Sequence, residues 1–311
     1  MKEKIIVIVG PTAVGKTSLG IQLAKALDGE VINGDSMQVY KQLDIGTAKV
    51  TEEEAKGITH HLIDIKQPDE PYTVADFKAD ATKKIKDISS RGKVPIVVGG
   101  TGLYIESLLY NVSHGGKAEP NDQFREEMQQ IVDEQGRDYL HQLLREKDSS
   151  AADSIHKNNV RRVIRALEVI HETGELFSDF QSERQLEPVF DAFIIGLTTD
   201  RDVLYKRINE RVENMIDNGL VDEAKLLYHT VPKDSQSTKG IGYKEFFPYF
   251  ETKQEWDETV ALVKQHSRNY AKRQLTWFRN RFDVDLWVDL VADSKQLEEV
   301  IEIGRKHLES D

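Results

Sequence analysis

Residues 10–17 read Gly10-Pro11-Thr12-Ala13-Val14-Gly15-Lys16-Thr17, which is the pattern G-x-x-x-x-G-K-T. A short apolar run, residues 5–9, comes directly before this stretch, and an amphipathic segment, residues 16–27, follows its glycines. A strand, a glycine-rich loop and a helix in this order are the context that a phosphate-binding P-loop requires. The N–H groups of the loop and the positive end of the helix dipole would attract a diphosphate or a triphosphate.

All eight residues of this loop are therefore predicted to bind phosphate groups: Gly10, Pro11, Thr12, Ala13, Val14, Gly15, Lys16 and Thr17. Lys16 could reach a terminal phosphate, and the Thr17 hydroxyl could bind Mg²⁺. The type of ligand alone does not separate Mg²⁺ from Mn²⁺. The loop predicts a phosphate ligand without specifying the reaction that follows.

The composition favours a folded protein without disulfides. The chain has 311 residues, of which 39% are hydrophobic, and it contains no cysteine. This length favours about two domains, and no run approaches the roughly 18 apolar residues of a membrane span. A cleaved signal peptide would remove the P-loop, so none is expected. We expect a cytoplasmic protein that does not contact membranes, and a monomer because no coiled-coil pattern is visible.

The charge of the chain is unevenly distributed. The net charge is −12, which by itself argues against a polyanionic partner. Basic residues nevertheless gather in two runs without acids, residues 155–165 with four and residues 264–281 with six. Local charge governs the attraction of phosphate groups over about 8–10 Å. The two runs fit either a nucleic-acid surface or solvated helix faces. Tyr270, Trp277 and Phe278 of the second run are expected in the core.

The order of strand and helix signals predicts an α/β fold. Strand-like runs at 5–9, 30–33 and 94–98 alternate with helix-like runs, which favours a P-loop NTPase-like parallel sheet flanked by helices. After a further strand at 192–197, Asp200 is predicted to cap a helix that ends near Gly219. Residues 114–190 lack strand signals and are predicted to form a helical insertion. The catalytic core would then comprise residues 1–113 and 191–311.

Two polar residues follow predicted strands. Asp35 comes just after the strand 30–33, and Thr101 lies between glycines just after the strand 94–98. Ligands of open α/β sheets bind at the carboxyl ends of the strands, so both side chains are expected near the P-loop. Asp35 could ligate Mg²⁺ or act as a general base. The strand 94–98 ends without the acid that NTPases usually offer to Mg²⁺, which favours a P-loop that holds a leaving group.

Several segments, in order along almost the whole chain, resemble one family, the tRNA dimethylallyltransferases (tRNA isopentenyltransferases) of bacterial type. The segments are residues 10–17, 35–40, 44–49, 99–104, 162–169, 240–243 and 272–279. The pairing of Asp35 with Asp44-Ile45-Gly46-Thr47 is far more specific than the P-loop alone. Arg161 departs from the family, in which glutamine is expected in many members.

The resemblance implies that a dimethylallyl group moves from dimethylallyl diphosphate to N6 of an adenine beside the anticodon of a tRNA. Asp35 would accept the proton of the amine, and Thr101 would hydrogen-bond to the reacting centre. Lys16, Arg211 and Mg²⁺ at Thr17 would stabilise the departing diphosphate. The adenine would flip out of its stack to reach Asp35. The residues implied to bind the tRNA anticodon arm are Asp35, Ser36, Met37, Gln38, Arg161, Arg162, Arg165, Lys239 and Arg273.

Three other functions remain open from the sequence. A P-loop small-molecule kinase would use ATP and a substrate hydroxyl. A dimethylallyltransferase acting on a free adenine nucleotide would not need the basic insertion. A non-catalytic RNA-binding protein would not need to retain Lys16, Thr17, Asp35 and Thr101 together.

Overall fold

A six-stranded sheet forms the centre of the computed structural model, which describes residues 2–110, 121–182 and 187–310. The strands are β1 (Lys4–Val9), β2 (Gly29–Asn33), β3 (His60–His61), β4 (Val94–Gly99), β5 (Asp191–Leu197) and β6 (Leu286–Val288). They lie in the order β3-β2-β4-β1-β5-β6, and every pairing is parallel. The predicted α/β class with a parallel sheet is confirmed.

Helices make up most of the rest of the described chain. They are α1 (Lys16–Ala26), α2 (Glu52–Ala55), α3 (Val74–Ser90), α4 (Gly102–Leu109), α5 (Asp122–Gln135), α6 (Arg137–Lys147), α7 (Ser149–Ser154), α8 (Val160–Thr173), α9 (Asp179–Ser182), α10 (Arg201–Asp217), α11 (Leu220–Thr230), α12 (Phe247–Phe250), α13 (Trp256–Arg281) and α14 (Gln296–Glu309). Short 3₁₀ turns cover Ser237–Lys239 and Lys244–Phe246. In the part of the chain that the structure describes, no helix combines the length and apolarity needed to cross a bilayer.

Local signals explain where several helices begin. Asp200 accepts hydrogen bonds from the N–H groups of Asp202 and Val203, and so caps α10 as predicted. Thr73 and Asp76 form a reciprocal capping box at the start of α3. Such caps satisfy N–H groups that a helix leaves unpaired, at a typical gain of about 1 kcal/mol.

The core of the first compact unit, Met1–Leu109 with Pro188–Asp311, is built around β1. Its residues from Ile5 to Val9 are fully buried, as expected for a parallel strand covered on both faces. Leu19 and Leu23 of α1 pack into the same core. The two-residue strand β3 and the single-turn helix α2 escaped prediction because neither carries a run long enough to show a period.

The second compact unit runs from Tyr110 to Glu187 and contains α5 to α9. The predicted insertion, residues 114–190, begins within residues 111–120, which lie outside the described residues. Leu144, Val163 and Leu167 belong to a separate hydrophobic core. The fully buried carboxylate of Glu168 is paired with Arg125 and Arg165, at 2.8 and 2.6 Å. This unit therefore has its own apolar and polar interior.

Two glycines let the chain after β2 touch the end of β4. The N–H of Gly34 donates to the carbonyl of Val98 at 2.8 Å. A Cβ added to Gly99 would lie 2.3 Å from the carbonyl oxygen of Gly34. That contact is with backbone, so no side chain can rotate to relieve it. The pair thus fixes the spacing between the segments that carry Asp35 and Thr101.

We predict that Gly99→Ala destabilises the protein by about 1–3 kcal/mol, the usual cost of forcing an extra carbon into a packed site. Chemical denaturation monitored by circular dichroism measures this change. Gly304→Ala in α14 is the matched control, because its Cβ would meet only side-chain carbons, the nearest at 3.4 Å. The control should be neutral or stabilising, since alanine favours a helix by up to about 1 kcal/mol. Equal denaturation midpoints for the two variants would contradict the close packing described here.

Candidate active site

The candidate site lies at the carboxyl ends of four adjacent strands. The P-loop follows β1, Thr101 follows β4 and Asp35 follows β2, and these strands are neighbours in the sheet. On the other side of β1, β5 leads into α10, which carries Arg211. Parallel strands end at one edge, so the topology alone brings these segments together.

The P-loop adopts a conformation that its glycines allow. Gly15 has φ +104° and is the N-cap residue of α1, and Gly10 has φ +149°; a Cβ added to Gly10 would lie 2.7 Å from the carbonyl oxygen of Leu197. Both values lie in a region that favours glycine. The Lys16 ammonium donates to the carbonyl of Pro11 at 2.7 Å. Gly10, Pro11 and Val14 are buried, whereas five other residues of the predicted loop line a cavity: Thr12, Ala13, Gly15, Lys16 and Thr17.

Two neighbouring cavities open onto this edge of the sheet. The larger, of about 1110 Å³, contains the P-loop, and we call it the donor cavity. The smaller, of about 360 Å³, is lined by apolar side chains such as Val212, Val263 and Ile241, and we call it the acceptor cavity. Both volumes suit small ligands or single bases. Six residues line both cavities: Thr12, Asp35, Thr47, Arg211, Met215 and Tyr270.

Asp35 therefore lies on the wall that the two cavities share. Its carboxylate accepts a hydrogen bond from the N–H of Met37 at 2.9 Å, and its own N–H donates to the side chain of Asn33 at 3.1 Å. Burial raises the pKa of Asp35, while the Met37 hydrogen bond and the charges of Lys16 and Arg211 oppose that rise. The carboxylate is oriented and partly desolvated, as a general base requires.

Arg211 and Arg207 of α10 supply positive charge from the β5 side of the sheet, across the P-loop from Asp35. Burial lowers the pKa of Arg211, and attraction to Asp35 opposes that change. Arg211 lines both cavities, and Arg207 lines the donor cavity while donating to the carbonyl of Ala13 at 3.0 Å. The spacing of one helical turn places both guanidinium groups on one face of α10.

Thr101 holds the loop behind Asp35. Its hydroxyl oxygen accepts a hydrogen bond from the N–H of Ser36 at 3.0 Å and donates to the Ser36 hydroxyl at 3.3 Å. Thr101 does not stand among the described residues that line either cavity, although its neighbours Gly99 and Gly100 line the donor cavity. The Thr101 hydroxyl therefore contacts Ser36, which lines the acceptor cavity, and does not line that cavity itself.

The role of Gln274 of α13 was not predicted, although its side chain contacts both the P-loop and the loop after β4. Its side-chain oxygen accepts from the N–H of Thr12 at 2.8 Å, and its amide nitrogen donates to the carbonyl of Gly100 at 2.9 Å. It is 5% exposed. One buried amide thus joins the P-loop to the loop after β4, and no signal in the sequence marks this role.

Tyr270, one turn earlier in α13, was predicted for the core but lines both cavities. The side chains of Thr101 and Gln274 lie beside its hydroxyl and act to lower its pKa. Burial, with the nearby charge of Asp35, raises its pKa and keeps the phenol protonated. Phe278 of the same helix is fully buried, as predicted.

The remaining candidates for binding RNA fall into two groups. Ser36, Met37, Lys239 and Arg273 line the acceptor cavity. Gln38 lines the donor cavity instead, and its amide donates to the carbonyl of Thr47 at 3.0 Å.

Arg161, Arg162 and Arg165 lie on α8, in the second compact unit. The Arg165 guanidinium pairs with Glu168, and Arg161 is exposed. In the basic run of α13, Lys264 pairs with Glu213 at 2.6 Å and Arg268 donates to Asn209 at 2.6 Å. Part of that run therefore serves contacts within the protein.

A family model described as IPP transferase matches residues 38–281 of the chain. A tRNA dimethylallyltransferase of Bacillus pumilus (strain SAFR-032) is 53% identical over 290 residues, which cover 93% of this chain and 90% of the relative. One from Bacillus cereus (strain AH187) is 51% identical over 300 residues, covering 96% and 94%.

Solved structures give the same result. The tRNA isopentenylpyrophosphate transferase of Bacillus halodurans superposes with a TM-score of 0.75 at 46% identity, covering 99% of this chain and 97% of that one. A eukaryotic dimethylallyltransferase acting on tRNA superposes with a TM-score of 0.81 at 32% identity, covering 97% and 78%. The chain therefore belongs to the IPP transferase family and is an enzyme of the prenyltransferase class.

Proposed function

We propose that this enzyme transfers a dimethylallyl group from dimethylallyl diphosphate to N6 of an adenine next to the anticodon of a tRNA, with release of diphosphate. The observation that carries this proposal is the position of Asp35 on the wall shared by two cavities, one of which contains the P-loop. A general base between a phosphate-binding site and a second, partly apolar site suits a transfer from one to the other.

The donor cavity would hold the diphosphate. Lys16, Arg207 and Arg211 surround it with three cationic side chains, and the P-loop adds N–H groups and the start of α1. The barrier to transfer is governed by the charge that develops on the diphosphate as its bond to the allylic carbon breaks. Preorganised positive groups stabilise such charge, and each typically contributes about 3–4 kcal/mol.

The acceptor cavity would hold the flipped adenine. Its exocyclic amine is a poor nucleophile, because the lone pair is delocalised into the ring. In the proposed step the bond from N6 to the allylic carbon forms while the carbon–oxygen bond to the diphosphate breaks. The diphosphate leaves with that electron pair, and the N6 proton passes to the Asp35 carboxylate. Thr101 would position this centre through Ser36 and Tyr270.

Mg²⁺ fits this site as a partner of the diphosphate. The described residues contain no group of three or more acidic or histidine side chains that could hold a metal by themselves. Mg²⁺ commonly binds through one or two protein oxygens together with substrate phosphates and water. Thr17, exposed on the wall of the donor cavity, would supply such an oxygen. The ion would neutralise charge on the leaving diphosphate.

Recognition of the RNA would be divided between the two compact units. Lys239 and Arg273 at the acceptor cavity would contact the strand around the target base. Arg161, Arg162 and Arg165 on α8 would bind phosphates of the anticodon arm, which gives binding a strong dependence on salt. A monomer remains our proposal for the oligomeric state, because the sequence carries no coiled-coil pattern. The proposed tRNA substrate supports a location in the cytoplasm.

The function is tested by incubating the enzyme with dimethylallyl diphosphate, Mg²⁺ and unmodified tRNA. A parallel reaction contains ATP and candidate hydroxyl compounds instead. We expect alkylated tRNA and free diphosphate. Phosphate transfer to a hydroxyl compound, without alkylation of RNA, would support a kinase instead and contradict the proposal.

We predict that Asp35→Asn reduces the rate of transfer by about 10²–10⁴, the usual contribution of a positioned base. The amide keeps the size of the side chain but cannot take up the N6 proton. Single-turnover assays with saturating tRNA measure the rate, and a filter-binding assay should show tRNA affinity within about threefold of the wild type. Asp69→Asn, at an exposed aspartate, is the charge-matched control and should retain the wild-type rate. Unchanged turnover in Asp35→Asn would refute the assignment of the base.

We predict that binding of the donor weakens as the pH rises above 8. Burial lowers the pKa of Lys16 to about 8, and Arg211 adds to the shift while Asp35 opposes it. The free enzyme therefore loses this charge as pH rises through about 8, and affinity for the diphosphate should fall by up to about tenfold per pH unit. Titration calorimetry with dimethylallyl diphosphate from pH 7 to 9.5 measures the effect.

The variant Lys16→Arg keeps its charge over this range and corrects for ionisation of the ligand itself. Its affinity should vary less with pH than that of the wild type. Parallel curves for the two proteins would show that Lys16 does not titrate there.

A further inference from the structure

One carboxylate binds the face of the loop 44–47 that is turned toward α11. Three successive N–H groups, those of Asp44, Ile45 and Gly46, donate to Glu223 of α11 at 2.8, 2.9 and 2.9 Å. Consecutive N–H groups that point to one place form a concave anion-binding nest. The protein fills this nest with a side chain that lies almost 180 residues further along the chain.

A fourth donor joins the same carboxylate to another segment. The Tyr243 hydroxyl donates to Glu223 at 2.6 Å, and burial together with the charge of Glu223 raises the pKa of this phenol, so that it remains a donor. Gly46 packs against the Tyr243 ring so closely that a Cβ added to Gly46 would lie 2.5 Å from the ring carbon Cζ of Tyr243. Glu223 therefore ties α11, the loop 44–47 and the turn before Tyr243 into one unit.

This loop forms part of the wall between the two cavities. Gly46 and Thr47 line the acceptor cavity, while Asp44, Ile45 and Thr47 line the donor cavity. The carbonyls of Thr47 and Ala48 also accept from the Gln38 amide, at 3.0 and 3.4 Å. A shift of the loop would change the shape of the acceptor cavity and release Gln38.

The loop's own bonds leave the face toward α11 unpaired. They run from the Thr47 hydroxyl to the carbonyl of Leu43, from the N–H of Ala48 to the carbonyl of Ile45, and from Lys49 to the carbonyl and the carboxylate of Asp44. None of these uses the three N–H groups that face α11. Without Glu223 these partly exposed donors would have water as their partner, and the loop would lose the charged hydrogen bonds that join it to α11.

We infer that Glu223 is a positioning residue of the acceptor site, which holds the loop 44–47 so that the target base fits beside Asp35. The inference rests on the proposed function for the identity of the acceptor. Glu223 itself does not line either cavity among the described residues, so it acts through the loop and not by contact with the base.

The variant Glu223→Gln tests this role. The carboxamide keeps the size of the side chain but has one acceptor oxygen for four donors, and its NH₂ group faces N–H groups. We expect the KM for tRNA to rise by about tenfold or more, which is the scale of losing a charged hydrogen bond. The kcat should stay within about threefold, because Asp35 and the P-loop remain in place.

Hydrogen exchange measured without any substrate gives a second readout. Amides of residues 44–46 should exchange at least about tenfold faster in Glu223→Gln, because their acceptor is weakened, while the rest of the chain exchanges as in the wild type. Asp222→Asn is the matched control, since it removes the same charge from the exposed neighbouring residue of α11. It should change neither the KM for tRNA nor the exchange.

The outcomes separate this inference from the proposed function. If the wild type fails to alkylate tRNA, the proposed function fails, while the exchange measurement still tests whether Glu223 holds the loop. Wild-type exchange and KM in Glu223→Gln would overturn the inference. A fall in kcat alone, or faster exchange across the whole chain, would also overturn it, because a positioning role is local. If Glu223→Gln does not fold, Glu223→Asp replaces it, because aspartate keeps both carboxylate oxygens on a shorter side chain. Its KM for tRNA should lie above the wild-type value by less than about tenfold. A KM equal to that of the wild type would overturn the inference.

Discussion

The electrostatic balance around Asp35 is the interaction on which the rest of the site depends. Burial works against the charged form of all three groups, because it raises the pKa of Asp35 and lowers those of Lys16 and Arg211. The attraction of Asp35 for each cation opposes these changes, whereas Arg211 lowers the pKa of Lys16 further. In a partly desolvated site such attractions are stronger than in water. A diphosphate that binds the two cations would take up their positive charge, and the Asp35 carboxylate would then be available to the amine as a base.

The sheet provides the rigidity that this balance needs. Four neighbouring parallel strands deliver the P-loop, Asp35, the segment with Thr101 and the helix with Arg211 to one edge. Gly99 and Gly34 pack so closely that there is no space for a side chain between the segment with Thr101 and the segment with Asp35. Gln274 adds hydrogen bonds to the P-loop and to Gly100 from the opposite side. A transfer reaction needs its partners held to within fractions of an ångström, and backbone contacts of this kind meet that need.

The parts of the site that could be predicted carry local signals. The P-loop has a fixed pattern between a strand and a helix, and Asp35 follows the strand-like run 30–33 closely enough for its place at the sheet edge to be derived. Arg211 came from the resemblance to a family, since an arginine within a charged helix has no signal of its own. Gln274 and Glu223 could not be predicted, because the loops that they hold lie more than 170 residues away and only the folded chain brings them together. Tyr270 was assigned to the core for the same reason, as helical spacing does not distinguish a core from a cavity wall.

The central claim is that one carboxylate lies between the diphosphate and the target amine. A crystal structure of the enzyme with an anticodon stem-loop and a thiolodiphosphate analogue of the donor tests it most directly. We predict diphosphate oxygens at Lys16 and the P-loop, and an Asp35 oxygen within hydrogen-bonding distance of N6, about 2.6–3.2 Å. The allylic carbon should lie about 3–3.5 Å from N6. A structure in which Asp35 points away from the P-loop, leaving no space for a five-carbon group between the diphosphate and the base, would contradict the account.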